Sequence, residues 1–203
     1  NTYAMMKDFD QALTYWYQAL EIARKVNDKL CQTRCLGNIF YKKLHIYHDY
    51  KEAEIILNKK LKINQSLDDI SEIISSYLDF AALYDTKASR EKTKIAFKYW
   101  NTAIEYAEIA LKMSKESKEV KDEINAYYSL SRFYSEIENL PKAIELINKT
   151  ITLCLETNNE YWTTHAFKQQ ARSNYKKGEF NKYIVNAEEG LKYLKLENEI
   201  QEE

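Results

Sequence analysis

The stretch LPKAIELINKTI, residues 140–151, is one of five that line up along this chain of 203 residues. The others are FDQALTYWYQAL at 9–20, YKEAEIILNKKL at 50–61, WNTAIEYAEIAL at 100–111 and FNKYIVNAEEGL at 180–191. Ala12, Ala53, Ala103, Ala143 and Tyr183 occupy one column, spaced by 41, 50, 40 and 40 residues. Eight residues later Leu20, Leu61, Leu111, Ile151 and Leu191 repeat those intervals, and Phe9, Tyr50, Trp100, Leu140 and Phe180 stand three residues before. A fixed period of this size is the signature of a stacked array. Apolar residues fall at i, i+3, i+4 and i+7 within each stretch, the spacing of an amphipathic helix.

Upstream of each copy lies a second amphipathic segment. Tyr77, Tyr127 and Phe167 recur 50 and 40 residues apart, followed by Phe80-Ala81, Leu130-Ser131 and Gln170-Ala171. In copy two we align Leu36-Gly37 with these pairs, which gives that copy four extra residues between its helices; copy three has ten. Asp8, Asp49 and Asn139 suit N-caps, Pro141 suits a first helical turn, and Gly178 suits a helix end. Asn27-Asp28, Asp68-Asp69 and Asn158-Asn159 mark joints between copies. The repeats then run 1–27 (truncated), 28–68, 69–118, 119–158 and 159–198, one all-α domain.

Composition agrees. Three Gly and one Pro cannot supply the turns of sandwiches or barrels. Thirty basic residues balance thirty-one acidic ones for a net charge of −1, without the basic face of a nucleic-acid binder. The longest apolar runs are far below the ~20 residues that span a bilayer. Three scattered cysteines indicate a reducing, cytoplasmic setting. The chain opens inside a repeat without Met, and we read it as a piece of a longer protein.

With these residues laid out, the sequence resembles the tetratricopeptide repeat family. Leu36-Gly37-Asn38-Ile39-Phe40 leading to Ala53, Leu130-Ser131-Arg132-Phe133-Tyr134 leading to Ala143, and Asn1-Thr2-Tyr3 leading to Ala12 follow the family's two-helix pattern. The period of 40 in place of 34 marks a long-helix variant. The resemblance implies a right-handed superhelical solenoid of antiparallel helix pairs, with the first helices lining a concave groove for a protein or extended peptide. On that face it places Arg34, Asn38, Asp79, Tyr128, Arg132, Lys168, Gln169 and Arg172. Three of the five arginines fall there, and forked guanidinium donors suit a ligand that is acidic or ends in a free C-terminus. The function expected is a non-catalytic binding scaffold, the sensory or docking segment of a larger regulatory protein. The alternative is self-association through the face of Tyr183, Ile184, Ala187, Leu191 and Leu194, which either missing chain or another copy would cover.

Catalytic and metal chemistry is weakly supported. Cys31, Cys35, His45 and His48 have a zinc-like order, but Cys35 and His45 would lie ~15 Å apart on a continuous helix, whereas zinc holds its ligands within ~2.3 Å. No glycine-rich phosphate loop or Ser-His-acid order occurs. We expect no enzyme, cofactor, metal, nucleic-acid or membrane site.

Overall fold

A computed structural model describes residues 9–91 and 94–202, with side chains through Leu194. The expectations at Asn1, Thr2, Tyr3 and Asp8 lie outside the described residues. These form nine helices and no strand: α1 (Phe9–Lys25), α2 (Lys29–His45), α3 (Tyr50–Ser66), α4 (Ile70–Arg90), α5 (Lys94–Ser117), α6 (Val120–Glu136), α7 (Leu140–Glu156), α8 (Glu160–Lys177) and α9 (Phe180–Glu202).

The joints other than that between α4 and α5 share one construction. The last helical turn is followed by a residue with positive φ, then by a cap of the next helix. Asn27, His48, Asp68, Lys118, Glu138, Asn158 and Gly178 hold the left-handed position. Asp28, Asp49, Asp69, Asn139 and Asn159 follow, each accepting a hydrogen bond from a backbone N–H in the next helix's first turn. Such caps satisfy N–H groups that a helix cannot pair internally. Only one of the seven left-handed positions is glycine, which is why so few glycines suffice.

Each helix packs on its sequence neighbours, and α4 also touches α6, as α6 touches α8. The second helices make no comparable contact with one another. The helices α2, α4, α6 and α8 therefore form an inner layer, and α1, α3, α5, α7 and α9 an outer one. The core is the seam between the layers. Leu20, Leu36, Ile39, Phe40, Ala53, Leu57 and Leu83 build one section. Ala103, Ala107, Tyr127, Leu130, Phe133 and Leu146 build another. Ala53, Ala103 and Ala143 are fully buried, and their small side chains let helices approach closely. The apolar stripes are what hold the stack, since no pair of helices hides its own face alone.

Two expectations about spacing resolve differently. The ten extra residues of copy three lengthen its helices, to 21 residues in α4 and 24 in α5 against 17 in α2 and α3. Copy two has no comparable insertion: α3 starts 21 residues after α2, as α7 starts 20 after α6. Counted from the helix starts, Leu130-Ser131 corresponds to Ile39-Phe40, and Leu36-Gly37 stands one turn earlier. A slip of one turn keeps the same face buried, because residues three apart share a helix side. The sequence pattern alone therefore tolerates either register.

Candidate functional site

A cleft of about 690 Å³ opens on the inner layer at the last helix pair, between α6, α8 and α9. One wall is polar and basic, with Tyr128 and Arg132 from α6 and His165, Lys168, Gln169 and Arg172 from α8. The opposite wall is apolar, with Tyr183, Ala187, Leu191 and Leu194 from α9 and Tyr175 closing one end. Gly190 seats α9 at the base. A Cβ there would lie 3.3 Å from the Phe167 Cβ, so the neighbouring helix would have to give by a few tenths of an ångström.

The basic residues differ in how committed they are. Arg132 donates to Asp85 Oδ2 at 2.6 Å, and Asp85 also accepts from Trp100 Nε1 at 3.3 Å. This ties α6 to α4 and α5. Arg172 donates to Glu136 at 3.1 Å, tying α8 to α6, and Lys176 reaches the same carboxylate at 3.2 Å. The two arginines thus act first as cross-braces between inner helices. Lys168 is exposed and makes no ion pair among the described residues. Gln169 is buried. Tyr128 is packed edge-on against Trp162 at 5.1 Å. Burial pushes its phenol pKa up, with Arg132 and Arg172 pulling the other way.

The cleft gathers five of the eight residues placed on the groove from sequence: Tyr128, Arg132, Lys168, Gln169 and Arg172. The other three lie elsewhere. Arg34 and Asn38 are exposed on α2, three helix pairs away. In the corrected register Asn38 matches Asp79 and Gln169, and Tyr41 takes the column of Arg132. Asp79 is not a free acid: its Oδ2 accepts from Lys60 Nζ of α3 at 2.9 Å. Burial pushes that carboxyl up, and the adjacent ammonium opposes the shift.

The apolar wall is the face that the sequence offers for self-association; its place opposite the basic residues, with His165, Thr164 and Tyr175 alongside, is not legible there. Elsewhere, Cys31 and Cys35 Sγ are 4.0 Å apart, while His48 contacts Leu44 and Arg90. Among the described residues no group of three or more His, Cys, Asp or Glu is placed to hold a metal. No described helix is long and apolar enough to cross a membrane.

No protein-family model matches the sequence, and no curated protein matches it either. Solved structures do. BtubC from P. vanneervenii shares 16% identity at a TM-score of 0.78, over 91% of this chain and 73% of that one. The TPR-like repeats of a putative kinesin light chain from Podosopora anserina give 13% and 0.69, over 95% and 90%. A STAND signal-transduction ATPase with a tetratricopeptide repeat sensor, from Pyrococcus horikoshii, gives 21% and 0.70, over 85% of this chain and 25% of that one. The fold is that of the tetratricopeptide-like repeats, a helical repeat scaffold. This chain spans a quarter of the length of the archaeal ATPase.

Proposed function

We propose that this chain is a non-catalytic protein- or peptide-binding scaffold, acting in the cytoplasm as the sensory or docking segment of a larger regulatory protein. The observation that carries the reading is the cleft on the inner layer. Its lining holds Arg132, His165, Lys168 and Arg172 and no Asp or Glu, in a chain whose acidic and basic residues balance. An apolar wall facing a basic wall suits a peptide with apolar side chains and carboxylates, internal or C-terminal. The repeat sensor in the archaeal ATPase supports the sensory part by analogy of fold. The test is calorimetric titration with a panel of acidic peptides, against the wild type and Lys168→Glu. Binding that weakens about tenfold in the variant supports the site, since a single charge reversal is worth about 1.4 kcal/mol or more at close range. Peptides that bind with unchanged affinity would remove the cleft from the function.

The second reading is self-association through α9. Ile184, Leu191 and Leu194 are 51%, 55% and 40% exposed, and a contiguous apolar face of this kind marks an interaction site. Light scattering across protein concentration separates the two, because a monomer at high concentration removes this reading.

A further inference from the structure

We infer that Cys31 and Cys35 form a binding site for a soft monovalent cation, copper(I), held between their two sulfurs. The inference stands apart from the peptide-binding reading. The first argument is position. Counted from the helix starts, Cys35 shares a column with Ser76, Ala126 and Ala166, all fully buried, and that column asks only for a small side chain. Cys31 shares its column with Glu72, Asp122 and Trp162, so stacking sets no common chemistry there. Only copy two puts sulfur in both columns. Four residues apart, the two side chains fall on one side of α2, and their Sγ atoms are 4.0 Å apart.

The second argument is which bonding partners that spacing admits. A disulfide needs its Cβ atoms ~3.5–4.5 Å apart, and residues four apart on a helix hold theirs at ~5–6 Å. The pair therefore stays a dithiol while α2 is helical. Structural zinc takes four ligands. Among the described residues no third His, Cys, Asp or Glu joins the two sulfurs, and His48 is turned to Leu44 and Arg90. A metal sits ~2.3 Å from a thiolate sulfur, so two sulfurs with an ion between them span up to ~4.6 Å. A separation of 4.0 Å lies inside that reach and asks for no backbone movement. Soft thiolates favour copper(I), zinc and iron–sulfur clusters; of these, copper(I) is the one that two sulfurs alone satisfy. The surroundings agree. Cys35 belongs to the core section of Leu20 and Leu36, and Cys31 packs at its margin with Trp16 and Ala19. Apolar walls keep out competing water, and the half-buried Cys31 leaves a way in. Burial holds the Cys35 sulfur as a thiol, so the ion has to displace its proton. On binding, two S–H bonds break, two Cu–S bonds form and two protons leave to solvent; no electron is transferred.

The test titrates the reduced chain, free of oxygen, with copper(I) in competition with a chromogenic copper(I) chelator. We expect one ion per chain, an ultraviolet thiolate-to-copper charge-transfer band, and a melting temperature raised by the bound ion. Cys31→Ala and Cys35→Ala should each weaken binding about a hundredfold or more, since loss of a residue that merely supports a ligand already costs ~10–100-fold. Cys154→Ala should leave binding unchanged. Both test variants should keep the fold, because Cys31 is half-buried and alanine already fills the Cys35 column at Ala126 and Ala166; unchanged circular dichroism checks it. Copper held as tightly after Cys31→Ala overturns the inference, as does equal binding to the urea-unfolded chain or one ion shared by two chains. Zinc bound as tightly as copper, or an oxidant that closes a Cys31–Cys35 disulfide in the folded chain, overturns it too.

Discussion

Removing the Asp85 carboxylate should loosen the inner layer at its best-buried brace. The residue is 9% exposed and accepts from Arg132 at 2.6 Å and Trp100 Nε1 at 3.3 Å. A hydrogen bond to a charged group contributes about 1.5–3 kcal/mol. The Arg132 side chain is 40% exposed and can rehydrate, which favours the lower end, about 1.5 kcal/mol. The indole N–H left without an acceptor adds about 1 kcal/mol. Asp85→Ala should therefore cost about 2–3 kcal/mol, or roughly 5–10 °C in melting temperature for a chain of this size. The Arg172–Glu136 brace gives the internal comparison. Arg172 is 59% exposed, so Arg172→Ala should cost under about 1 kcal/mol. Urea denaturation followed by circular dichroism measures both, and native-state hydrogen exchange locates the loss. The expected pattern is faster exchange in α4 and α6, because neighbouring repeats share stability through their interfaces. A change below about 0.5 kcal/mol for Asp85→Ala, or equal effects of the two substitutions, would refute the claim that burial sets the strength of these braces.

Ala143→Trp should destabilise by about 1–3 kcal/mol through overpacking, since Ala143 is fully buried on α7, a helix packed on both α6 and α8; a thermal shift assay with no change would count against the repeat alignment. Glu138→Gly should stabilise by about 1 kcal/mol in chemical denaturation, because Glu138 holds φ at 63° and a left-handed L-residue costs about that much relative to glycine. Burial pushes the Cys35 and Cys154 thiols up to about 11. The thiolate is the reactive form, so both should resist iodoacetamide at pH 8 and react only as the pH approaches 11, with Cys31 labelled first by mass spectrometry. Asp79→Ala should cost more than an exposed pair, roughly 3 kcal/mol, because it leaves the Lys60 ammonium, 8% exposed, beside only Glu72 at 3.8 Å; a loss under about 1 kcal/mol would show that the ammonium finds water.

The period of the chain was legible because stacking repeats the same demand. Ala12, Ala53, Ala103 and Ala143 had to be small at the same place, and Leu20, Leu61, Leu111 and Ile151 had to be apolar about two turns further along the same stripe. Caps were legible for the same reason: Asp49, Asn139 and Pro141 sit where backbone chemistry restricts the choice. The register of α2 was not. Leu36 and Ile39 lie one turn apart and are both buried, at 2% and 0% exposure, so an amphipathic pattern fits whether Leu36 or Ile39 is matched to Leu130. The Leu-Gly pair drew the match to the wrong turn and carried Asn38 with it.

The candidate site was half legible, and the missing half has a single cause. Sequence identifies which side chains face the inner layer, and so finds Tyr128, Arg132, Lys168 and Arg172. It does not show which charges are already answered, because Asp85 lies 47 residues from Arg132 and Glu136 lies 36 from Arg172. Pairing across repeats converts two apparent ligand groups into braces and leaves Lys168 as the group free to act. The apolar wall reads in sequence as a self-association face, and its place as one side of this cleft escaped for the opposite reason. Leu191 looks in sequence like Leu20, Leu61 and Leu111, a packing residue of the stack. It differs only in what lies over it: Leu20 is 2% exposed and Leu191 is 55%. Burying roughly half of a leucine's surface is worth about 1 kcal/mol, and Leu194 and Ile184 offer similar amounts. The same stripe that holds repeats together inside the array is therefore, at α9, free energy available to whatever packs there.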